Sequence, residues 1–263
     1  MAKIIAVVNQ KGGVGKTTTS VNLAAYLARL GKFVLLVDLD PQSNATSGLG
    51  IDYRNLSHGI YDVLVGNKSM LEIICNTSIP GYKVAPATLD LAGANIELVN
   101  EARREFRLHE ALHESRSHYD YIIIDCPPSL GLLTINGLLA ADEILIPVQA
   151  EYYALEGIAH LLHTVKLLQD NLKPELAIMG AVITMFDKRT SLSDDVLQQL
   201  YQYFPSRIFR TVIPRNVKLS EAPSHGKSIC EYDPECKGAS AYERLAREII
   251  DLESNVSSNN LIS

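Results

Sequence analysis

The chain has 263 residues, a length that favours one domain with a large core. Hydrophobic residues make up 47% and charged residues 21%, which is typical of a globular protein, and no apolar run approaches the length of a membrane span. The formal net charge of −6 excludes a chain that is basic throughout, although a local basic patch would suffice to bind nucleic acid. The N-terminus enters an apolar run at once, so we expect no signal peptide and a cytoplasmic protein with reduced thiols.

Short apolar runs recur along the chain, and segments with helical patterns separate them. Runs that are rich in valine and isoleucine are typical of strands buried on both faces of a parallel sheet. The runs are Ile4–Val8, Phe33–Val37, Tyr121–Ile124, Ile144–Val148 and Leu176–Ile183.

Helices are predicted over 17–30, 59–65, 95–112, 156–169, 192–204 and 241–253. Capping boxes at Ser191 with Asp194 and at Ser240 with Glu243 indicate where the last two begin. The alternation predicts an α/β fold, with a doubly wound, mostly parallel sheet and helices on both faces. We expect a single domain over 1–253 and a polar, frayed tail over 254–263.

A glycine-rich segment directly follows the first apolar run and leads into the first predicted helix. Residues 9–18 read Asn-Gln-Lys-Gly-Gly-Val-Gly-Lys-Thr-Thr. Such a turn directs backbone N–H groups and the positive end of the helix dipole at a bound phosphate. Lys16 is expected to reach the β- and γ-phosphates and Thr17 to hold Mg²⁺, so the segment predicts a site for a nucleoside triphosphate.

Acidic residues follow the second and third apolar runs, at the sheet edge where open α/β folds bind ligands. Asp125 follows the third run, a pattern typical of a Walker B carboxylate that holds Mg²⁺ through water. Asp38 and Asp40 follow the second run, and strand alternation turns both toward the same side. Asp38 is the better candidate for a purely structural role, in capping the turn before Pro41.

The glycine-rich segment departs from the usual phosphate loop, because Gln10 stands where that pattern has its first glycine and Lys11 follows it. Lys-Gly-Gly-Val-Gly-Lys-Thr resembles the deviant Walker A motif of the ParA/MinD ATPases. The stretches 36–46, 151–157 and 212–226 are similar to segments of the chromosomal ParA/Soj branch of that family.

This resemblance implies a Mg²⁺-dependent ATPase with weak intrinsic turnover. It implies that Lys11 reaches the nucleotide of a partner subunit, that Lys16 neutralises phosphate charge and that Asp40 orients the attacking water, while Asp38 supports the switch loop. The nucleotide-binding residues that it implies are Lys11, Gly12, Gly13, Val14, Gly15, Lys16, Thr17 and Thr18, with Pro214 and Asn216 against the adenine and ribose. The implied metal ligands are Thr17 and Asp125.

The resemblance further implies ATP-dependent sandwich homodimers, non-specific binding of double-stranded DNA on the nucleoid, and hydrolysis stimulated by a ParB-type partner. The function that the resemblance implies for this chain is the segregation of a chromosome or a plasmid. Basic residues late in the chain are the expected DNA contacts, namely Arg189, Arg207, Arg215, Lys218 and Lys227. Few aromatic residues lie among them, which favours contact with a duplex backbone over stacking on single strands.

Other classes of protein share the loop. A MinD-like membrane-positioning ATPase needs a basic amphipathic C-terminal helix, but residues 238–263 hold two basic and four acidic residues. We expect Tyr242, Leu245, Ile249 and Leu252 to form the core face of that helix instead.

A carrier of an iron–sulfur cluster, like the nitrogenase iron protein, needs cysteines placed to hold the cluster between subunits. The four cysteines of this chain show no such pattern. A binding module that binds ATP without useful turnover is disfavoured by Asp40.

Overall fold

The computed structural model describes residues 1–150, 154–187, 201–202, 204 and 207–259. The strands are β1 (Lys3–Val7), β2 (Val34–Asp38), β3 (Cys75–Asn76), β4 (Tyr82–Ala85), β5 (Tyr121–Asp125), β6 (Glu143–Gln149), β7 (Ala177–Phe186) and β8 (Ile208–Pro214). The helices are α1 (Lys16–Arg29), α2 (Asn44–Gly48), α3 (Ile60–Leu64), α4 (Met70–Ile73), α5 (Leu91–Glu97), α6 (Arg107–Leu112), α7 (Leu132–Ala140), α8 (Ala154–Asn171), α9 (Val217–Glu221), α10 (Ile229–Tyr232) and α11 (Lys237–Asn259).

The strands form one sheet in the order β3-β4-β2-β5-β1-β6-β7-β8. Every neighbouring pair is parallel except β3 with β4. The carboxyl ends of β1, β2 and β5 meet at one edge, where Asp125 is in register with Val7 on one side and Asp38 on the other. The predicted α/β fold with a mostly parallel sheet is confirmed.

Helices cover both faces of the sheet, and alternate residues of each strand enter two separate cores. Ile4 and Ala6 of β1 join a core with α3 to α8, whereas Ile5 and Val7 join a second core with α1 and α9 to α11. Both faces of the central strands are therefore buried, which explains why their sequences read as continuous apolar runs.

Strands β3, β4 and β8 lie outside the five predicted runs. The first is two residues long, and β4 carries the exposed Lys83 between buried neighbours. At the sheet edge, β8 alternates buried Phe209 and Thr211 with exposed Arg210, so it lacks a continuous apolar run. The helix predicted over 95–112 is divided into α5 and α6, because Arg103 takes a left-handed φ of 55° between them. The helix predicted over 192–204 lies largely outside the described residues.

The ends of α11 differ from the prediction. It begins at Lys237, and the Ser240 hydroxyl donates to the Cys236 carbonyl oxygen at 3.4 Å within the first turn, so Ser240 is not its cap. It continues to Asn259, so the polar tail expected from residue 254 is helical to that point. Of the predicted core face, Tyr242, Leu245 and Ile249 are buried, but Leu252 is 46% exposed and that assignment was wrong.

Helix α11 also protects the edge of the sheet. The Glu248 carboxylate accepts hydrogen bonds from the backbone N–H groups of Arg210, at 2.8 Å, and Thr211, at 3.0 Å. These donors belong to the edge strand β8, which has a neighbouring strand on one side only within the part of the chain that the structure describes.

Among the described residues, no helix is both long enough and apolar enough to cross a bilayer.

Candidate nucleotide site

The glycine-rich loop runs from the end of β1 to the start of α1. Gly13 and Gly15 have φ values of 76° and 87°, in the left-handed region that favours glycine. Gly15 is the N-cap of α1, and the first turn of this helix holds no acidic side chain. The helix N-terminus therefore keeps its partial positive charge for an external anion, as a phosphate site requires.

Lys16 lies beneath this loop and is 7% exposed. Its Nζ donates to the Lys11 carbonyl oxygen at 3.0 Å. Burial lowers the pKa of Lys16, and the neighbouring carboxylates of Asp125 and Asp40 act in the opposite direction. The ammonium group is thus held next to the loop, where it can exchange a carbonyl oxygen for phosphate oxygens.

Asp125 ends β5 and is fully buried. Its Oδ1 accepts a hydrogen bond from the Ser20 hydroxyl at 2.9 Å, whereas its Oδ2 is buried and accepts none from the described residues. The Thr17 hydroxyl lies close enough to favour the charged carboxylate. A buried carboxylate oxygen beside a threonine hydroxyl fits a magnesium ion that is bound by the hydroxyl and reached by Asp125 through water.

The carboxylates of Asp38 and Asp125 lie side by side on adjacent strands. Burial raises the pKa of both well above the usual aspartate value, and repulsion from Asp38 raises that of Asp125 further. Such a pair is costly in the absence of a cation, and a divalent metal would relieve the repulsion. Asp40 is 6% exposed, and its Oδ1 accepts a hydrogen bond from the Gln42 N–H at 2.9 Å.

Asp38 holds the segment after β2 in place. Its Oδ2 accepts hydrogen bonds from the Thr46 backbone N–H at 2.8 Å and the Thr46 hydroxyl at 2.6 Å, and its Oδ1 accepts one from the Asp40 N–H at 3.2 Å. The Thr46 hydroxyl in turn accepts from the Ala87 N–H at 3.0 Å. This is the structural role expected of Asp38. No local spacing pattern marks Thr46, since its partners are eight and 41 residues away.

Two polar side chains that the sequence analysis did not assign hold the loop from the other half of the sheet. Asn9 connects the loop to Pro147 of β6. The Thr184 hydroxyl of β7 donates to the Val14 carbonyl oxygen at 2.8 Å. Both contacts join residues more than 130 positions apart, so a single sequence carries no signal for them.

Pro214 and Asn216 lie at the same edge of the sheet as the loop. Pro214 ends β8, and the Asn216 Oδ1 caps α9 by accepting from the Lys218 N–H at 2.8 Å. Two strands separate β8 from β1, so the two strands are about 14 Å apart at ~4.8 Å per spacing. That separation suits a nucleotide whose phosphates are at the loop and whose base is near β8.

The expected DNA-binding residues do not form one patch. Arg215, Lys218 and Lys227 lie in the segment that follows β8, but Arg207 precedes that strand. The seven residues of β8 lie between Arg207 and Arg215 and separate them by roughly 25 Å. Arg207 lies at the opposite end of the sheet, where its Nη1 donates to the Ile178 carbonyl oxygen at 2.9 Å. Arg189 lies outside the described residues.

Lys218 is engaged by neighbouring side chains. Its Nζ lies 2.8 Å from Glu221 Oε2, which also accepts a hydrogen bond from the Tyr232 hydroxyl at 2.9 Å. Its ammonium also lies 5.7 Å from the centre of the Tyr232 ring. A phosphate that binds Lys218 must therefore compete with a carboxylate of the same segment.

The chain is similar to known proteins over nearly its whole length. A family model described as "AAA domain" matches residues 2–178. The sporulation initiation inhibitor protein Soj of Bacillus subtilis is 57% identical over 95% of this chain and 98% of its own length. The chromosome-partitioning ATPase Soj of Treponema pallidum is 53% identical over 95% of this chain and 98% of its own.

A solved structure shows the same fold with a nucleotide. It is named cobyrinic acid a,c-diamide synthase from Mycobacterium smegmatis, with a bound ATP analogue and magnesium, and it is 38% identical with a TM-score of 0.85 over 95% of each chain. That name differs from those of the Soj relatives. The Soj relatives are more similar to this chain in sequence than the solved structure is, so they decide to which branch of the family the chain belongs. The deviant phosphate loop and the buried carboxylates agree with this similarity. The chain belongs to the ParA/Soj branch of the ParA/MinD family of P-loop ATPases.

Proposed function

We propose that ATP closes two copies of this partitioning ATPase into a sandwich dimer that binds double-stranded DNA non-specifically, and that a ParB-type partner stimulates hydrolysis and resets it. The observation that carries the proposal is the difference in burial between two lysines of the same loop segment. Lys16 is buried, whereas Lys11 is half-buried beside the exposed Gly12 and Gly13. Lys16 can therefore serve its own nucleotide, and the half-buried position of Lys11 supports a contact with a second subunit.

Each of the site residues has a separate role in the transfer of the phosphoryl group to water. Lys16 and the N-terminus of α1 bind the phosphate oxygens, and Asp40 orients the attacking water. Thr17 and Asp125 would hold Mg²⁺, which when bound neutralises charge on the phosphates. A cation supplied from outside the subunit is a strong accelerator in this chemistry, worth about 10³–10⁵ in turnover. We assign that role to Lys11 of the second subunit, so an isolated subunit should hydrolyse ATP slowly.

DNA binding that depends on dimerisation follows from the number of phosphate contacts. Arg215, Lys218 and Lys227 offer three contacts in one subunit and six in a dimer. With a log–log salt slope of about −0.9 per contact, the slopes would be about −3 and about −5. Two linked patches also gain by avidity. ATP could thus switch DNA binding on and place the protein on the nucleoid without changing either patch.

Sedimentation of three proteins with a non-hydrolysable ATP analogue tests the dimer. The unmodified chain and Asp40→Ala should sediment as dimers with the analogue and as monomers with ADP. Lys11→Ala should bind the analogue but remain monomeric. A dimeric Lys11→Ala protein would contradict the role of Lys11, and monomers in all three samples would contradict the sandwich.

A membrane-positioning role has less support from the last helix. The apolar residues Tyr242, Leu245 and Ile249 of α11 are packed in the core and are not available to lipid. Cosedimentation with anionic vesicles tests this alternative directly, since a lipid-binding protein would pellet with them in ATP.

A further inference from the structure

Asn9 is a buried polar residue two positions before Lys11, and core packing does not account for it. It is 1% exposed, its Nδ2 donates to the Pro147 carbonyl oxygen at 2.7 Å, and its Oδ1 accepts the Lys11 N–H at 3.0 Å. A buried amide is costly unless it is hydrogen-bonded, and here both ends of the amide are used. The side chain is therefore a bridge between β6 and the phosphate loop.

The bridge continues the hydrogen-bond ladder between β1 and β6 beyond the point where the backbone of β1 leaves it. The Val8 N–H donates to the Leu145 carbonyl oxygen at 3.1 Å. In a regular parallel pair, the next donor would be the backbone N–H two residues later, opposite Pro147. The chain has turned into the loop by then, and the Asn9 side chain supplies the donor to Pro147. The start of the loop is thereby fixed to a central strand.

The Lys11 peptide is held from two sides. Asn9 accepts its N–H, and the Lys16 ammonium donates to its carbonyl oxygen at 3.0 Å. The Lys16 ammonium has three donors and can direct them to phosphate oxygens, whereas the contact with Asn9 uses only the Lys11 N–H. We therefore expect ATP to weaken the contact with Lys16 and to leave the contact with Asn9 in place.

We propose that Asn9 is the positioning residue for Lys11, holding its backbone on the sheet while Lys16 binds the phosphates, so that the Lys11 ammonium can reach the second subunit. The inference rests on the proposed function, in which Lys11 acts between subunits. Without the bridge, the Lys11 backbone would have to be ordered during association. Loss of Asn9 should therefore weaken the dimer more than it weakens ATP binding.

The test compares two binding constants in four variants. Asn9→Ala removes the bridge, and Asn9→Asp keeps the size and the acceptor for Lys11 but loses the donor to Pro147. Lys11→Ala tests the lysine itself. Asn136→Ala is the matched control, because Asn136 is also fully buried, and it bridges the Arg104 and Leu132 carbonyl oxygens and the Leu108 N–H, away from the loop. A fluorescent non-hydrolysable ATP analogue at low protein concentration gives the monomer affinity, and sedimentation with the same analogue gives the dimer affinity.

Asn9→Ala should weaken the dimer by about tenfold or more, as expected for the loss of a buried hydrogen-bonded bridge, and change the monomer affinity by less than about threefold. Asn9→Asp should act in the same direction, and it replaces Asn9→Ala if that variant is unfolded. Asn136→Ala should change neither constant.

Equal losses of both constants in the Asn9 variants, or the same pattern in Asn136→Ala, would overturn the inference, since either would indicate general loosening. A fully dimeric Asn9→Ala protein beside a monomeric Lys11→Ala protein would overturn this inference alone. If Lys11→Ala itself forms dimers normally, it is the proposed function that fails.

Discussion

Thr46→Val should lower the free energy of unfolding, although the side chains of threonine and valine have nearly the same shape. Thr46 is fully buried, and its hydroxyl donates to Asp38 at 2.6 Å and accepts from the Ala87 N–H at 3.0 Å. Valine removes a hydrogen bond to a carboxylate, worth about 1.5–3 kcal/mol, and leaves a buried N–H unpaired, at a cost of about 1–3 kcal/mol. Because the two effects overlap, we expect a loss of about 2–4 kcal/mol in the free energy of unfolding, out of the ~5–15 kcal/mol typical of a domain.

Urea denaturation of the nucleotide-free protein at neutral pH measures this loss, and thermal unfolding should show a shift of about 5–10 °C. Thr46→Ser is the control, because it keeps the hydroxyl and loses only a methyl group, at about 1 kcal/mol. The turnover of Thr46→Val at saturating ATP should also fall, since Asp40 belongs to the segment that Thr46 holds. A Thr46→Val protein at least as stable as Thr46→Ser would refute the reasoning.

Three further outcomes are expected. Asp125 has a pKa raised by burial, so the folded state binds its proton more tightly than the unfolded state does, and the nucleotide-free protein should lose stability as the pH rises from about 4 through neutrality. Asp125→Asn should flatten that dependence in urea titrations at several pH values, and an unchanged slope would contradict the assignment. Arg215→Glu should weaken DNA binding in ATP at every sequence tested by fluorescence anisotropy, whereas Arg207→Glu, at the far end of β8, should not. Asp40→Ala should bind ATP and release little phosphate in a single-turnover assay, and normal release would assign the water to another group.

The local geometry around the candidate nucleotide site was the most predictable part of the molecule, because the residues involved are close together in sequence. Glycines with positive φ lie in the loop after β1, and Lys16 and Thr17 follow directly in the first turn of α1. The continuous apolar runs also predicted the central strands, since strands buried on both faces have no polar residues to interrupt them. Asp38 and Asp125 could be placed together because the carboxyl ends of parallel strands share one edge.

Features that depend on distant contacts could not be predicted. Asn9 and Thr46 act through partners that only the folded chain brings near. Arg207 and Arg215 are close in sequence, but the strand between them carries them to opposite ends of the sheet. Leu252 continues the apolar periodicity of α11 past the point where the helix still has a core to contact.

The Glu248 carboxylate has a consequence for how copies of this chain can assemble. An uncovered outer strand offers its amides to any extended segment and invites open-ended stacking of sheets. At β8 a side chain from the same molecule already occupies two of those amides. Self-association along this border is therefore disfavoured, so copies of this chain would have to meet through other surfaces.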